Sequence, residues 1–511
     1  MSARSEALAV SGGRLAHAAW LSASMALAVG VLSFVLRIRD AGSRSLWMDE
    51  LFTVAFVAQS PRTMLDVLYG EEANMALYYA VMVVWSWLVG HGASELFVRL
   101  PSIVFGAASA TCLYLLGLRL ASPAAGAAAA LLAAVNAYQI VMSQEARSYA
   151  LWGLLATLSW LLLDRAVAGR RDRDAALYGG AVAAAFYAHF FTAFIVAAQV
   201  VFVLLVAGLR GLRSLTVAGA CAALLALPAL PFFLAHHDGA QIAHVRSSDL
   251  ADLLSLVRLF SGGSWPTLAL MSAALVALIA AAARSAPTSE ATRRWLLPVC
   301  WLVIPILLVF LLSYVKPMFK ERYLFPSALA VSLIVGLAIG LIRPLWGRLA
   351  ALIAAVALTW FWVPPDLAAR QDENWRGAIA YVQANAQPDD GYVFISKRGQ
   401  LGYEYYAGRL AIPAAQRPRF DLLEPYSWDE LASGAYRESN TTYRALAGGT
   451  SGLADFAASH SRVWLVLSHE FDAVFDGDTS ASVRDWLTRR GYAARQRTFQ
   501  GIRVLLYERR S

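Results

Sequence analysis

Residues 45–52 read SLWMDELF, placing two adjacent carboxylates, Asp49 and Glu50, shortly after a long apolar run. An acid at a low-dielectric surface has its pKa raised and can accept a proton from a hydroxyl nucleophile. A neighbouring acid can orient the first, bind an ion or hold a hydroxyl; a solvated loop charge is the plain alternative. Glu71 and Glu72 precede ANMALYY, where acids also simply complement a helix N-terminus. SQEARSYAL (143–151) sets Glu145 and Arg147 at a helix mouth with Tyr149 beside them. FYAHFFTAF (186–194) isolates His189 in an apolar run, a setting that suits a structural histidine as well as a functional one. His236, His237 and His244 lack zinc-ligand spacing. KPMFKERYLFP (316–326) gathers Lys316, Lys320 and Arg322, with Tyr323 adding a hydroxyl. Three cations exceed what helix anchoring needs and suit a phosphate at headgroup level.

The elements that hold these residues are membrane spans. The 511 residues are only 15% charged, with a mean hydropathy of +0.53, against about 25% charged in soluble domains. Twelve apolar stretches stand out: 17–36, 75–90, 100–118, 121–141, 149–163, 175–188, 190–209, 214–234, 264–283, 295–315, 323–342 and 349–363. The run 175–209 would be a helix of about 52 Å, too long for one crossing of ~30 Å, so it is split at His189. The first run lacks a clear cleavage site and reads as a retained helix. Cys112, Cys221 and Cys300 all lie in apolar runs and imply neither a disulfide framework nor a metal cluster. The net charge of +8 is mostly arginine at membrane edges, so it gives no argument for nucleic acid.

Arginine clusters orient the chain. Arg165/Arg170/Arg171/Arg173, Arg210/Arg213, Arg284/Arg293/Arg294 and Arg343/Arg348 are each separated by two spans and read as cytoplasmic, as does the N-terminus. Twelve crossings break the parity. The stretch 75–90 is short, about 24 Å as a helix, and rich in aromatic residues, which suits an interfacial helix. Removing it predicts about 11 spans and a first outer loop over 37–98. Asp49, Glu50, Glu71, Glu72, Glu145, Arg147, His189 and the 316–322 cations then share one face, with the C-terminal segment.

After Pro364–Pro365 the composition turns soluble-like. GAIAYVQANA and VRDWLTRRGY read as helices, and GYVFIS, RVWLVLS and RVLLYER as strands. Residues 1–365 are thus a membrane domain and 366–511 a small extracytoplasmic α/β domain. That domain shows no Gly-rich phosphate loop and no metal-ligand spacing, and reads as a cover or docking module.

LWMDE (46–50), NMALYY (74–79), ELFVRLPS (95–102), QEARSYAL (144–151), YAHFF (187–191), KPMFKERYLFP (316–326) and NWRGAIAYV (374–382) occur in one order over most of the chain. In these the chain resembles the GT-C superfamily of integral-membrane glycosyltransferases. It is most similar to the bacterial branch related to protein O-mannosyltransferases and the lipid A aminoarabinose transferase. The resemblance implies a GT-C-like fold in the bacterial inner (plasma) membrane. It also implies inverting transfer, outside the cytoplasm, of a hexosyl or pentosyl group from a polyprenyl-phosphate-linked sugar. The acceptor would be a hydroxyl of a glycolipid, glycan or protein. The family's first-loop base maps onto Asp49, with Glu50 as companion. Many relatives carry His-Pro-Pro or Pro-Pro before Leu-Tyr-Tyr; here Asn74–Met75–Ala76 stands instead, which bears on the acceptor.

The residues agree with that chemistry. A polyprenyl phosphate leaves readily and needs cations more than an acid, and the acceptor needs a base on the opposite side of the anomeric carbon. Glu71, Glu72, Glu145, Arg147, Tyr149, His189, Lys316, Lys320, Arg322 and Tyr323 are the expected donor- and acceptor-binding residues. No cofactor is required, with a divalent metal left open. The expected partners are the lipid-linked donor, the acceptor and membrane lipids, with no nucleic acid. A lipid or glycan transporter is the competing class, but transporters place ionisable groups at mid-membrane, where these spans carry almost none.

Overall fold

A computed structural model describes residues 2–231, 248–284, 290–361, 373–412, 416, 420–423, 425–433, 451–468 and 477–509. His236, His237, His244 and the Glu71 side chain lie outside the described residues. The chain divides into two compact units. One comprises Met1–Arg39, Ser102–Pro228 and Val245–Leu367; the other comprises Asp40–Pro101, Ala229–His244 and Ala368–Ser511.

The first unit is helical. In lipid the backbone has only itself to bond, so long uncharged Ala/Leu/Val runs become helices. Among the described residues seven helices are long and apolar enough to cross a membrane, or eight if Pro123–Val135 and Ala137–Ser143, bent by 66°, form one span. The break at His189 is present: Asp172–Ala188 ends before it and Thr192–Ala207 begins after it. Thr192–Ala229 is an apolar helical stretch of 38 residues, about 57 Å if straight, but it reverses. Gly208 turns the chain at φ +56, a conformation open to glycine. Beyond the turn, Arg213 Nη2 lies 2.8 Å from Asp172 Oδ2, and the Tyr187 hydroxyl donates to Leu225 O at 3.0 Å. Leu212–Ala226 therefore runs parallel to Asp172–Ala188. Thr192–Ala207 runs antiparallel to that same helix, with Tyr178 donating to Gln199 Oε1 at 2.8 Å. The stretch is two helices, as its length required.

Two buried charges fix this unit. Asp164, fully buried, pairs with Arg119 and, at 3.2 Å, with Arg293. Arg165 and Arg213 reach Asp174 and Asp172 at 3.8 and 2.8 Å. Arginines from three of the predicted clusters thus meet acids of the single stretch 164–174. At the other end of the first helix, buried Arg37 donates to Ala133 O (3.0 Å), Ala134 O (3.3 Å) and Ser143 Oγ (3.1 Å). The first two are carbonyls that the end of Pro123–Val135 leaves without helical partners. Asn136 then caps the next helix by accepting from Gln139 N–H at 3.1 Å. The bend aims the chain toward the 144–149 stretch.

In the second unit the first loop forms the helices Met48–Val57, Pro61–Val67 and Ala76–Val89. The C-terminal segment adds a five-stranded sheet: β1 Gly391–Ile395, β2 Asp421–Leu422, β3 Arg462–Ser468, β4 Tyr492–Phe499 and β5 Ile502–Arg509. Its order is β2-β1-β3-β5-β4. β1 pairs in parallel with β2 and β3, and β5 pairs antiparallel with β3 and β4. Helices Trp375–Asn385 and Gly477–Arg489 match the periodic segments read from sequence. β1 is buried along its whole length, as expected of a strand covered on both faces. β4 was not legible: YAARQRTF is an exposed edge strand without apolar alternation.

Candidate active site

Within the second unit, Asp49 and Glu50 occupy the first turn of Met48–Val57, where acids meet unsatisfied backbone N–H groups. Their environments separate their roles. Glu50 is fully buried. Its Oε1 accepts from Arg99 Nε at 2.8 Å and its Oε2 from Arg99 Nη2 at 2.6 Å, and Oε2 also accepts from Trp47 N–H at 3.2 Å. Arg99 also donates to Ala41 O (2.6 Å), Arg44 O (3.0 Å) and Ser45 O (2.8 Å). Buried charges persist only when paired this fully. Glu50 and Arg99 therefore bind the 41–47 loop to the helix that bears Asp49. Asp49 itself keeps a side chain that is 19% exposed, with Oδ1 4.0 Å from Arg398 Nη1. Of the two acids, Asp49 is the less buried.

The C-terminal segment grips the same loop. Leu46 N–H donates to the Tyr406 hydroxyl at 2.7 Å and Met48 N–H to Glu373 Oε2 at 3.1 Å. Arg376 N–H donates to Ser45 Oγ at 3.2 Å, and its guanidinium reaches Glu95 Oε1 at 2.6 Å and Gly42 O at 3.1 Å. Burial, with Glu95 nearby, holds the Tyr406 hydroxyl well above its ordinary pKa, so it remains a neutral donor. Glu72 accepts from the Tyr79 hydroxyl at 3.2 Å, and the Tyr79 ring sits edge-on to Phe56 at 4.6 Å. That couples Glu72 to the Asp49 helix.

The second group lies wholly in the first unit. His189 is buried in the turn between two helices and stacks on Trp152 at 4.2 Å. Tyr149 and Tyr323 flank it at 6.1 and 5.7 Å. Its Nδ1 accepts from Phe191 N–H at 3.2 Å, so the neutral ring carries its proton on Nε2. Burial, and then the charges of Arg147 and Arg322, push its pKa down to about 3. The group is thus built around a neutral imidazole with two arginines close by. Arg147 O accepts from Ser102 Oγ at 3.3 Å, and Tyr138 donates to Glu321 O at 2.9 Å, fixing both arginine-bearing stretches. Glu145 is buried, and Lys316 and Lys320 are half-buried on the stretch that leads to Arg322.

The structure therefore brings Arg147, Tyr149, His189, Arg322 and Tyr323 together, and separately sets Asp49 beside Arg398. Arg99, Glu373, Trp152, Arg398 and Tyr406 are site residues that sequence reasoning did not assign. Only Arg99 carried a signal, as a lone charge at the start of an apolar helix. Among the described residues no group of three or more His, Cys, Asp or Glu side chains is placed to hold a metal ion.

No protein-family model matches the chain, and no curated protein does. Solved structures do. ArnT from Cupriavidus metallidurans in the apo state aligns at a TM-score of 0.62 and 12% identity, over 96% of this chain and 98% of that one. The same protein bound to undecaprenyl phosphate aligns at 0.59 and 13%, over 96% and 97%. The oligosaccharyltransferase of Archaeoglobus fulgidus aligns at 0.52 and 11%, over 93% of this chain and 73% of that one. At such identities the likeness is one of fold: the chain shares the fold of these solved proteins.

Proposed function

We propose that the chain is a glycosyltransferase that moves a sugar from a polyprenyl-phosphate donor to a hydroxyl acceptor. The observation that carries this is the likeness, over almost the full length of both chains, to a protein solved with undecaprenyl phosphate. In this reaction the acceptor O–H gives its proton to the Asp49 carboxylate. The acceptor oxygen attacks the anomeric carbon from the face opposite the phosphate. The carbon–oxygen bond to phosphate breaks, and the electron pair leaves with the polyprenyl phosphate, so configuration inverts. Glu50, through Arg99, positions Asp49. Arg147, Lys316, Lys320 and Arg322 hold the donor phosphate, while the neutral His189, Tyr149 and Tyr323 offer ring faces and donors beside it. The acceptor class is a glycolipid or glycan.

The proposed topology has eleven crossings in the bacterial plasma membrane. The N-terminus is cytoplasmic, and the 37–98 loop and residues 366–511 are outside. The experiment is transfer of a labelled sugar from purified undecaprenyl-phosphate donors by the protein in detergent, with undecaprenyl phosphate binding measured in parallel. Binding and transfer are expected. Failure to bind undecaprenyl phosphate would remove the basis of the proposal.

A further inference from the structure

The C-terminal segment was expected to cover or dock. Within the second unit it supplies groups to the loop that carries Asp49. Glu373 accepts from Met48 N–H, the Tyr406 hydroxyl accepts from Leu46 N–H, and the Arg376 backbone N–H holds Ser45. Glu373 is itself fixed, because its Oε2 also accepts from the indole N–H of fully buried Trp375 at 2.6 Å. Trp375 lies so close to Gly402 that a Cβ there would be 2.6 Å from the indole. The helix Gly399–Tyr406 is thereby pressed against Trp375. Arg398 is the residue that enters this helix, with its backbone N–H on Ser396 Oγ at 3.3 Å.

The side chain of Arg398 is placed as tightly as its backbone. Its guanidinium lies over the Phe52 ring at 5.3 Å and has Nη1 4.0 Å from Asp49 Oδ1. Positions 49 and 52 share one helix face, so Arg398 spans both. At 4.0 Å the contact is charge attraction rather than a short hydrogen bond. We propose that Arg398 is a positioning residue for the Asp49 carboxylate, so that the C-terminal segment completes the acid's site. This rests on Asp49 being the acting acid.

Arg398 faces the Asp49 carboxylate, with Lys397 next to it in sequence; Glu373 bonds the preceding backbone N–H, and Glu50, paired with Arg99, follows Asp49 in the same helix turn. An arginine never deprotonates here, so it favours the charged carboxylate, whereas Glu50 and Glu373 oppose it. The test is the pH dependence of water-soluble carbodiimide labelling at Asp49, read by mass spectrometry of the 45–62 tryptic peptide from the purified full chain in detergent. Arg398→Ala is expected to raise the labelling midpoint by about one pH unit or more, and Arg398→Lys to restore most of it. Arg398→Gln serves if the alanine variant does not fold. A midpoint unchanged in both neutral variants, or a lysine variant that behaves like them, overturns the proposal. Labelling does not depend on sugar transfer. A shifted midpoint with wild-type transfer by Asp49→Asn would refute Asp49 as the acting base and leave the Arg398–Asp49 coupling standing.

Discussion

Arg99 and Glu50 meet through two parallel hydrogen bonds of 2.8 and 2.6 Å, in a place where both residues are buried. Removing one partner strands the other as a buried charge, which typically costs about 3–5 kcal/mol. Arg99→Ala is expected to lower the stability of the purified protein by roughly that amount and to release the 41–47 loop. The double variant Glu50→Leu/Arg99→Met removes both charges and is expected to be milder than Arg99→Ala alone. Thermal or denaturant unfolding in detergent measures the difference. A loss in the double variant equal to the sum of the losses in Glu50→Leu and Arg99→Met alone would mean that the pair is not coupled.

Asp49→Asn keeps size and polarity but cannot take a proton. Loss of a general base costs about 10²–10⁴-fold in rate. Expression, unfolding midpoint and undecaprenyl phosphate binding are expected to stay near wild type, because the buried ion pair of this loop is made by Glu50 and Arg99 and is left intact. Transfer at the wild-type rate would return Asp49 to the status of a loop charge.

The contrast between these two acids shows what was legible in the sequence. The pair was visible, and so was the first loop that holds it. Which acid is buried depends on Arg99, which lies 49 positions away, and no local pattern encodes that distance. The spans were legible because apolar runs have few physical alternatives, and His189 marked a break because a helix of that length does not fit a bilayer. Arg398 and Glu373 were silent, being ordinary charges in a soluble-like segment until folding sets them at the Met48 helix. β4 was missed for the opposite reason, since an exposed edge strand has no buried face to impose alternation.

Arg147 and Arg322 are the cations whose charges reach His189, and they are the leading candidates for the donor phosphate. Arg322→Ala and Arg147→Ala are each expected to weaken undecaprenyl phosphate binding by about tenfold or more, in line with the roughly 1.5–3 kcal/mol of a charge-assisted hydrogen bond. Tryptophan fluorescence or native mass spectrometry reads the affinity. Unchanged binding in both variants would move the phosphate site elsewhere.

The Ala76–Val89 helix exposes Trp87 and Leu88, at 76% and 74%. A helix of 14 residues reaches only about 21 Å, short of a ~30 Å core. A cysteine at Leu88 is expected to react with a membrane-impermeant maleimide added outside the cell. Reaction only after the cytoplasmic side is opened would break the eleven-crossing topology.

His189 gives a pH test that needs no substrate. Its pKa falls from the ordinary value of 6.5 to about 3, first through burial and then through Arg147 and Arg322. The unfolded chain therefore binds a proton on His189 between those values while the folded chain does not. Stability from the neutral ring is fully present above about pH 6.5 and is lost as the pH falls toward 3, with a slope of up to about 1.4 kcal/mol per pH unit. His189→Asn removes the titration and retains a polar side chain. Wild type is expected to lose unfolding temperature between pH 7 and pH 4.5 more steeply than the variant, whose remaining slope comes from the carboxylates common to both. The variant also loses the stacked contact with Trp152 at 4.2 Å, so it starts lower at pH 7 and the two curves converge on acidification. Parallel curves would show that His189 titrates alike in the folded and unfolded chain, and the lowered pKa that keeps the imidazole neutral beside the two arginines would be wrong.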